Sequence, residues 1–190
     1  AVTSGTGSVT TNTSGPTLSN VSIASNNATS TLAKAGNDIT LSFTASELIS
    51  TPVVTFQSGG AAITDGSIVY ANTSGNTWTS VYTANASDTD GSVSYSIAFS
   101  DAAGNAGTVV TSGTGSVTTN TTGPTLSNVS IASNNATSTL AKAGNDITLS
   151  FTASEVISTP VVTFQSGGAA ITDGSIVYTN TSGNTWTSVY

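Results

Sequence analysis

The chain has no cysteine, methionine, histidine or arginine among its 190 residues. Their absence excludes disulfides, thiol nucleophiles, imidazole general bases and the soft ligands that many transition-metal centres need. Charge is equally scarce. Only 6% of residues are charged, against roughly 25% in an ordinary soluble domain, so Ser, Thr, Asn and Gly must cover the surface. The cations are Lys34 and Lys142, and the formal charge of −7 removes the basic footprint that nucleic-acid binding requires. This acidic balance suits a divalent cation, or a surface that does not adhere to anionic polysaccharide or membrane. No apolar run reaches the ~18 residues of a membrane span, and no signal peptide is visible. With no Cys or Met, little is left for oxidants to attack, which fits an extracellular setting. A domain of about 100 residues buries enough surface to do without disulfides.

What the chain does have is repetition. Residues 1–82 and 109–190 are identical except at four pairs, Ala1/Val109, Ser14/Thr122, Leu48/Val156 and Ala71/Thr179, which sets a period of 108 residues. That exceeds the ~20–50 residues of solenoids and propeller blades and falls in the size range of an independent domain. An active site gains little from a near-verbatim copy beside it, whereas a spacer or multivalent binder gains reach or avidity with each copy. The period makes 1–15 the expected final strand and linker of a preceding repeat. Residues 16–123 form a complete repeat, and 124–190 a partial second one with strands A to E. The whole then reads as a window on a longer array.

Within the repeat, short segments alternate apolar and polar residues between Gly, Asn, Ser and Asp, and no stretch has helical periodicity. The unit is expected to be all-β, with strand A at 17–24 (Leu18, Val21, Ile23) and B at 38–45, its Ile39, Leu41 and Phe43 inward. C follows at 52–57 (Val54, Phe56), D at 67–71 (Ile68, Tyr70) and E at 77–83 (Trp78, Tyr82). F spans 92–100 (Val93, Tyr95, Ile97, Phe99), and G spans 107–118, broken near Gly113 and Gly115. Seven strands in about 100 residues point to an immunoglobulin-like antiparallel β-sandwich. Pro16 and Pro124 open strand A, where a missing N–H costs nothing, and mark the joints. So short a linker around Gly123 and Pro124 predicts a stiff, extended rod of tandem domains.

The ordered set GPTLSNVSIAS, LAKAGNDITLSFTASE, GNTWTS and DTDGSVSYSIAFSDAAGN resembles, over the whole repeat, the bacterial immunoglobulin-like tandem repeats of giant extracellular surface proteins and RTX-type adhesins. The resemblance implies extender modules with binding modules at the far end, often stiffened by Ca²⁺ at or between domains. Here the joint carries Asn12 and Asn120 where related joints often have Asp.

In such a sandwich the BC and FG loops share one end, so Glu47 approaches Asp101 and Asn105. Their oxygens, with nearby carbonyls, begin the shell of 6–8 oxygens that Ca²⁺ takes. The alternative is that Asp101 and Asn105 only build their turn through local hydrogen bonds. At the opposite end, Asp88 and Asp90, with Asp38 nearby, form a second candidate Ca²⁺ site. DTDG (88–91) is not an EF-hand, because its twelfth position is Phe99 rather than Glu. No catalytic residue is assigned: Glu47 with an Asp lacks the aromatic groove of a glycosidase. Lys34 sits in a turn with Ala33, Ala35 and Gly36, which argues against an isopeptide crosslink. Asn-x-Ser/Thr at Asn12, Asn20, Asn27, Asn72, Asn85 and Asn120 reflects composition more than glycosylation.

The expectation is a non-catalytic extender repeat of a giant bacterial cell-surface or secreted protein, with no cofactor required. Its partners are neighbouring repeats of the same chain. The alternatives are a repeat that contacts identical chains laterally in a self-assembling filament or sheath and, ranked lower, a carbohydrate-binding module, for which no exposed aromatic platform can be read.

Overall fold

A computed structural model describes residue 7 and residues 9–63, 67–171 and 176–190. The chain divides into two compact units, Ala1–Thr122 and Gly123–Tyr190. Of the expected preceding-repeat strand, residues 1–6 and 8 lie outside the described residues, and the rest of that segment is irregular.

Unit 1 contains β1 (Leu18–Ser25), β2 (Leu32–Ala33), β3 (Asp38–Ala45), β4 (Val53–Ser58), β5 (Ala61–Ala62), β6 (Val69–Ser74), β7 (Thr77–Thr83), β8 (Gly91–Ala98) and β9 (Thr118–Thr119). One sheet has the order β1-β3-β7-β6 and the other β2-β9-β8-β4-β5. Strict alternation decides which side faces inward. In β3 every second residue is buried, so Ile39, Leu41, Phe43 and Ala45 line one face. Val54 and Phe56 of β4 and Ile97 of β8 join them in a common core. The rings of Phe56 and Tyr82, one from each sheet, meet at a centroid distance of 5.7 Å. Each large apolar side chain so buried contributes about 1.5–3 kcal/mol. Two sheets that share one core, ordered A-B-E-D and C-F-G with short additions, make unit 1 an immunoglobulin-like β-sandwich. No helix long and apolar enough to cross a membrane occurs among the described residues.

The last strand is broken, as expected near Gly113 and Gly115, and the interruption extends over most of 107–118: the chain makes isolated bridges at Val110 and Thr114 before β9. A bulge in β1, where Asn20 has φ +50°, re-aims β1 toward this segment. Thr114 N then donates to Val21 O at 2.8 Å, and Ile23 N to Thr114 O at 3.0 Å. The approach is so close that a Cβ on Gly113 would lie 2.4 Å from Val21 O. Glycine at this point permits the contact and weakens the ladder at once.

Unit 2 contains β10 (Leu126–Ser133), β11 (Ile147–Ala153), β12 (Gln165–Ser166), β13 (Ala169–Ala170), β14 (Val177–Ser182) and β15 (Thr185–Val189). Its sheet, β10-β11-β15-β14, reproduces the first sheet of unit 1: Leu126 pairs with Ala153 as Leu18 pairs with Ala45. The counterpart of β4 keeps strand geometry only at Gln165–Ser166. In unit 1 that strand is laddered to β8, which has no counterpart within the 190 residues. Ile131 is 62% exposed, whereas Ile23, in the same local sequence, is 5% exposed.

Candidate functional site

The polar chemistry of unit 1 gathers at its two ends, which β8 separates: Asp90 precedes the strand and Asp101 follows it. At the leading pole, where the chain enters, the Ile49–Asp101 bridge and the Ser50 N–H bonded to Ser100 O at 2.9 Å draw the turn after β3 against the turn after β8. Half-buried Glu47 therefore lies beside Asp101 and Asn105, as the loop topology predicts.

Asn12 completes this cluster. Its Nδ2 donates to Glu47 Oε2 at 3.1 Å and to Asp101 Oδ2 at 2.9 Å. Its Oδ1 accepts from Ser14 N at 3.1 Å, and its carbonyl accepts from Asn105 Nδ2 at 2.9 Å. Asp101 is only 3% exposed. Its Oδ1 accepts the N–H groups of Ala103 (2.9 Å) and Asn105 (2.8 Å), and its Oδ2 also accepts Asn105 Nδ2 at 2.8 Å. The Asn105 side chain first, then the backbone N–H groups of Asn105, Ala103 and Gly104, hold the Asp101 carboxyl below its usual range against the opposing effect of burial.

The donor set bears directly on a cation. A carboxylate offers about four lone-pair sites, and Asp101 already accepts four N–H groups. Among the described residues, no group of three or more acidic side chains converges as a metal cage. A Ca²⁺ ion bridging Glu47 and Asp101 would have to displace the Asn12 amide, whose own oxygen is turned to Ser14.

At the trailing pole the two expected partners serve different groups. Asp88, 6% exposed, accepts the Asn85 N–H at 2.7 Å and closes the turn before β8. Exposed Asp90 holds the departing chain: its Oδ1 accepts Thr121 N at 2.7 Å and Thr121 Oγ1 at 2.8 Å, and its Oδ2 accepts the Thr122 hydroxyl. The Thr122 hydroxyl first, then the two Thr121 donors, hold the Asp90 carboxyl below its usual range. Asp38 belongs to a separate cluster, accepting from Thr83 Oγ1 at 2.8 Å and Asn26 Nδ2 at 3.3 Å.

Buried hydroxyls position the departing chain. Ser58 and Thr119, each 1% exposed, hydrogen-bond to one another: one hydroxyl donates across the pair and the other donates to a backbone carbonyl, Thr89 O lying 2.7 Å from Ser58 Oγ and Gly91 O 3.0 Å from Thr119 Oγ1. Gly91, at φ +140°, lets the loop approach so closely that a Cβ there would lie 2.8 Å from Gly59 Cα. Lys34 stays exposed in its turn, with its N–H on Asn37 Oδ1. The participation of Asn12 is the one part of the cluster not assigned from sequence, although Asn-x-Ser before Gly-Pro is the signature of a side-chain-closed turn.

No family model and no curated protein matches this chain. Among solved structures it is similar to the titin domains Z1Z2 in complex with telethonin, with 16% identity over 94% of this chain and 82% of that chain and a TM-score of 0.34. It is also similar to a second titin immunoglobulin tandem, with 13% identity over 92% and 80% of the two chains and a TM-score of 0.30.

Proposed function

We propose that the chain is a non-catalytic extender: tandem sandwich repeats of a bacterial cell-surface or secreted protein that hold a distal adhesive module at a distance. The observation that carries this reading is the fastening of both chain ends of unit 1. Asn12 ties the incoming peptide to the leading pole, and Asp90 ties the outgoing peptide to the trailing pole. Fastened ends leave few residues free to bend at a joint, which suits a spacer that must transmit length. Near-identity of the copies fits the same role, since each adds reach without new chemistry. A surface of hydroxyls and amides without Cys or Met supports a place outside the cell.

Solution scattering on chains with increasing repeat number tests the proposal. A strand of 6–10 residues rising ~3.3 Å each, with loops at both ends, gives about 35–45 Å per domain. The maximum dimension should grow by about that much per repeat. A particle that stays compact as repeats are added removes the mechanical basis, and fibres or sheets in electron micrographs would favour the self-assembling filament.

A further inference from the structure

We infer that the leading pole of unit 1 is a metal-independent receptor for the outgoing peptide of a preceding copy of the repeat, closed by the side-chain amide of Asn12. This deepens the extender reading and rests on it.

Residues 10–13, Thr-Thr-Asn-Thr, are identical to residues 118–121. Unit 1 therefore holds one peptide sequence at both of its ends, through different side chains. The trailing pole reads it through the Thr121 hydroxyl, with that of Thr122 just beyond the shared stretch, on Asp90. The leading pole reads it through Asn12, by side chain and by carbonyl. The trailing contacts of Thr121 and Thr122 and the leading contacts of Asn12 fall on different residues of the repeated segment.

The chemistry of the leading pole selects asparagine. Glu47 Oε2 and Asp101 Oδ2 converge on one point, where two carboxylates repel unless something positive bridges them. An amide NH₂ has two polar hydrogens and gives one to each oxygen. The Asn105 amide, in turn, needs an acceptor, and the backbone carbonyl of Asn12 supplies it. Alanine at this position would leave both acids unbridged. Aspartate would bring a third carboxylate to the same point, and only a bound cation could then reconcile the three.

The test uses the full chain and its Asn12→Ala and Asn12→Asp variants, each in chelator and in millimolar Ca²⁺, with ¹⁵N relaxation at Thr13 and Ser14 as the readout. Asn12 lies outside every strand, so both variants keep the core. In the native chain, order parameters near the ~0.85 of rigid backbone are expected in both conditions. Asn12→Ala should fall below ~0.6, the range of flexible backbone, in both. Asn12→Asp should be mobile in chelator and become rigid again in Ca²⁺. Native order that collapses on chelation would overturn the inference, as would an Asn12→Ala variant that stays rigid or an Asn12→Asp variant that ignores Ca²⁺. None of these outcomes alters the scattering test of the rod, so failure of the clasp and failure of the extender reading are separable.

Discussion

Asn12 Nδ2 lies 2.9 Å from Asp101 Oδ2, a contact across 89 positions that ties the incoming chain to the turn between the last two strands of the sandwich. Asp101 thereby acts in two directions, building its own turn and retaining a peptide. Asp101→Ala removes the acceptor of four N–H groups. The melting temperature of unit 1 should drop by several degrees, and Ala103 and Asn105 amides should exchange faster. Unchanged exchange at both amides would show that the turn holds without its carboxylate.

Asp90 and Asp101 both have carboxyl groups held below the ordinary 3.8 by hydrogen bonds. The folded form therefore binds fewer protons than the unfolded form in that range, so stability rises with pH there. Their contribution is complete above an unfolded value of about 3.9 and is lost as pH falls through the lower folded values. With no histidine in the chain, melting temperature should be flat from about pH 5 to 8 and decline below about 4. Replacing both residues by Asn should make the acid decline shallower; an acid limb of the same slope in the double variant would contradict this assignment.

Phe56 is 1% exposed and stacks on Tyr82. Phe56→Ala should destabilise unit 1 by about 3–5 kcal/mol through lost burial and a residual cavity. Trp78 and Trp186, the two tryptophans, lie one in each unit. Denaturant melts followed by Trp78 fluorescence in a Trp186→Phe background would read unit 1 alone, and a midpoint within error of the parent would show that the two sheets do not share this core.

Ser80 sits on the inward face of β7 between Trp78 and Tyr82, fully buried, and its hydroxyl has no hydrogen-bond partner among the described residues. An unmet hydroxyl in such a place costs about 1–3 kcal/mol. Ser80→Ala should stabilise unit 1 by about 1 kcal/mol, raising its melting temperature by about 4–8 °C. A fall instead would indicate that a buried water satisfies the group.

The strands most legible in the sequence are those with unbroken alternation. Ile39, Leu41 and Phe43 admit one inward face, and 38–45 and 77–83 are strands over those same residues. The two-residue β2 and β5 carry no alternation to detect. The segment 107–118 does alternate, but Gly113 trades ladder bonds for a close approach to β1, which periodicity does not encode. At the leading pole, Glu47, Asp101 and Asn105 follow from the topology of the loops. Asn12 escapes because its partners are distant in sequence, and because carboxylates in a pattern do not say whether an amide or a cation bridges them. Asp88 and Asp90 look like one pair when read along the chain. The structure separates them: one faces its own turn and the other the departing peptide.

The late position of β8 and β9 in the strand order of unit 1 has a consequence for biosynthesis. A repeat emerging N-terminus first from a ribosome or an export channel shows its apolar face until the residues equivalent to β8 and β9 follow. Because neighbouring copies are almost identical, side-chain complementarity cannot tell a repeat's own late strands from those of its neighbour. Only order of emergence and proximity along the chain make the correct partner arrive first. An array of this kind is therefore exposed to domain-swapped misassembly whenever synthesis stalls or a refolding chain presents several open faces at once.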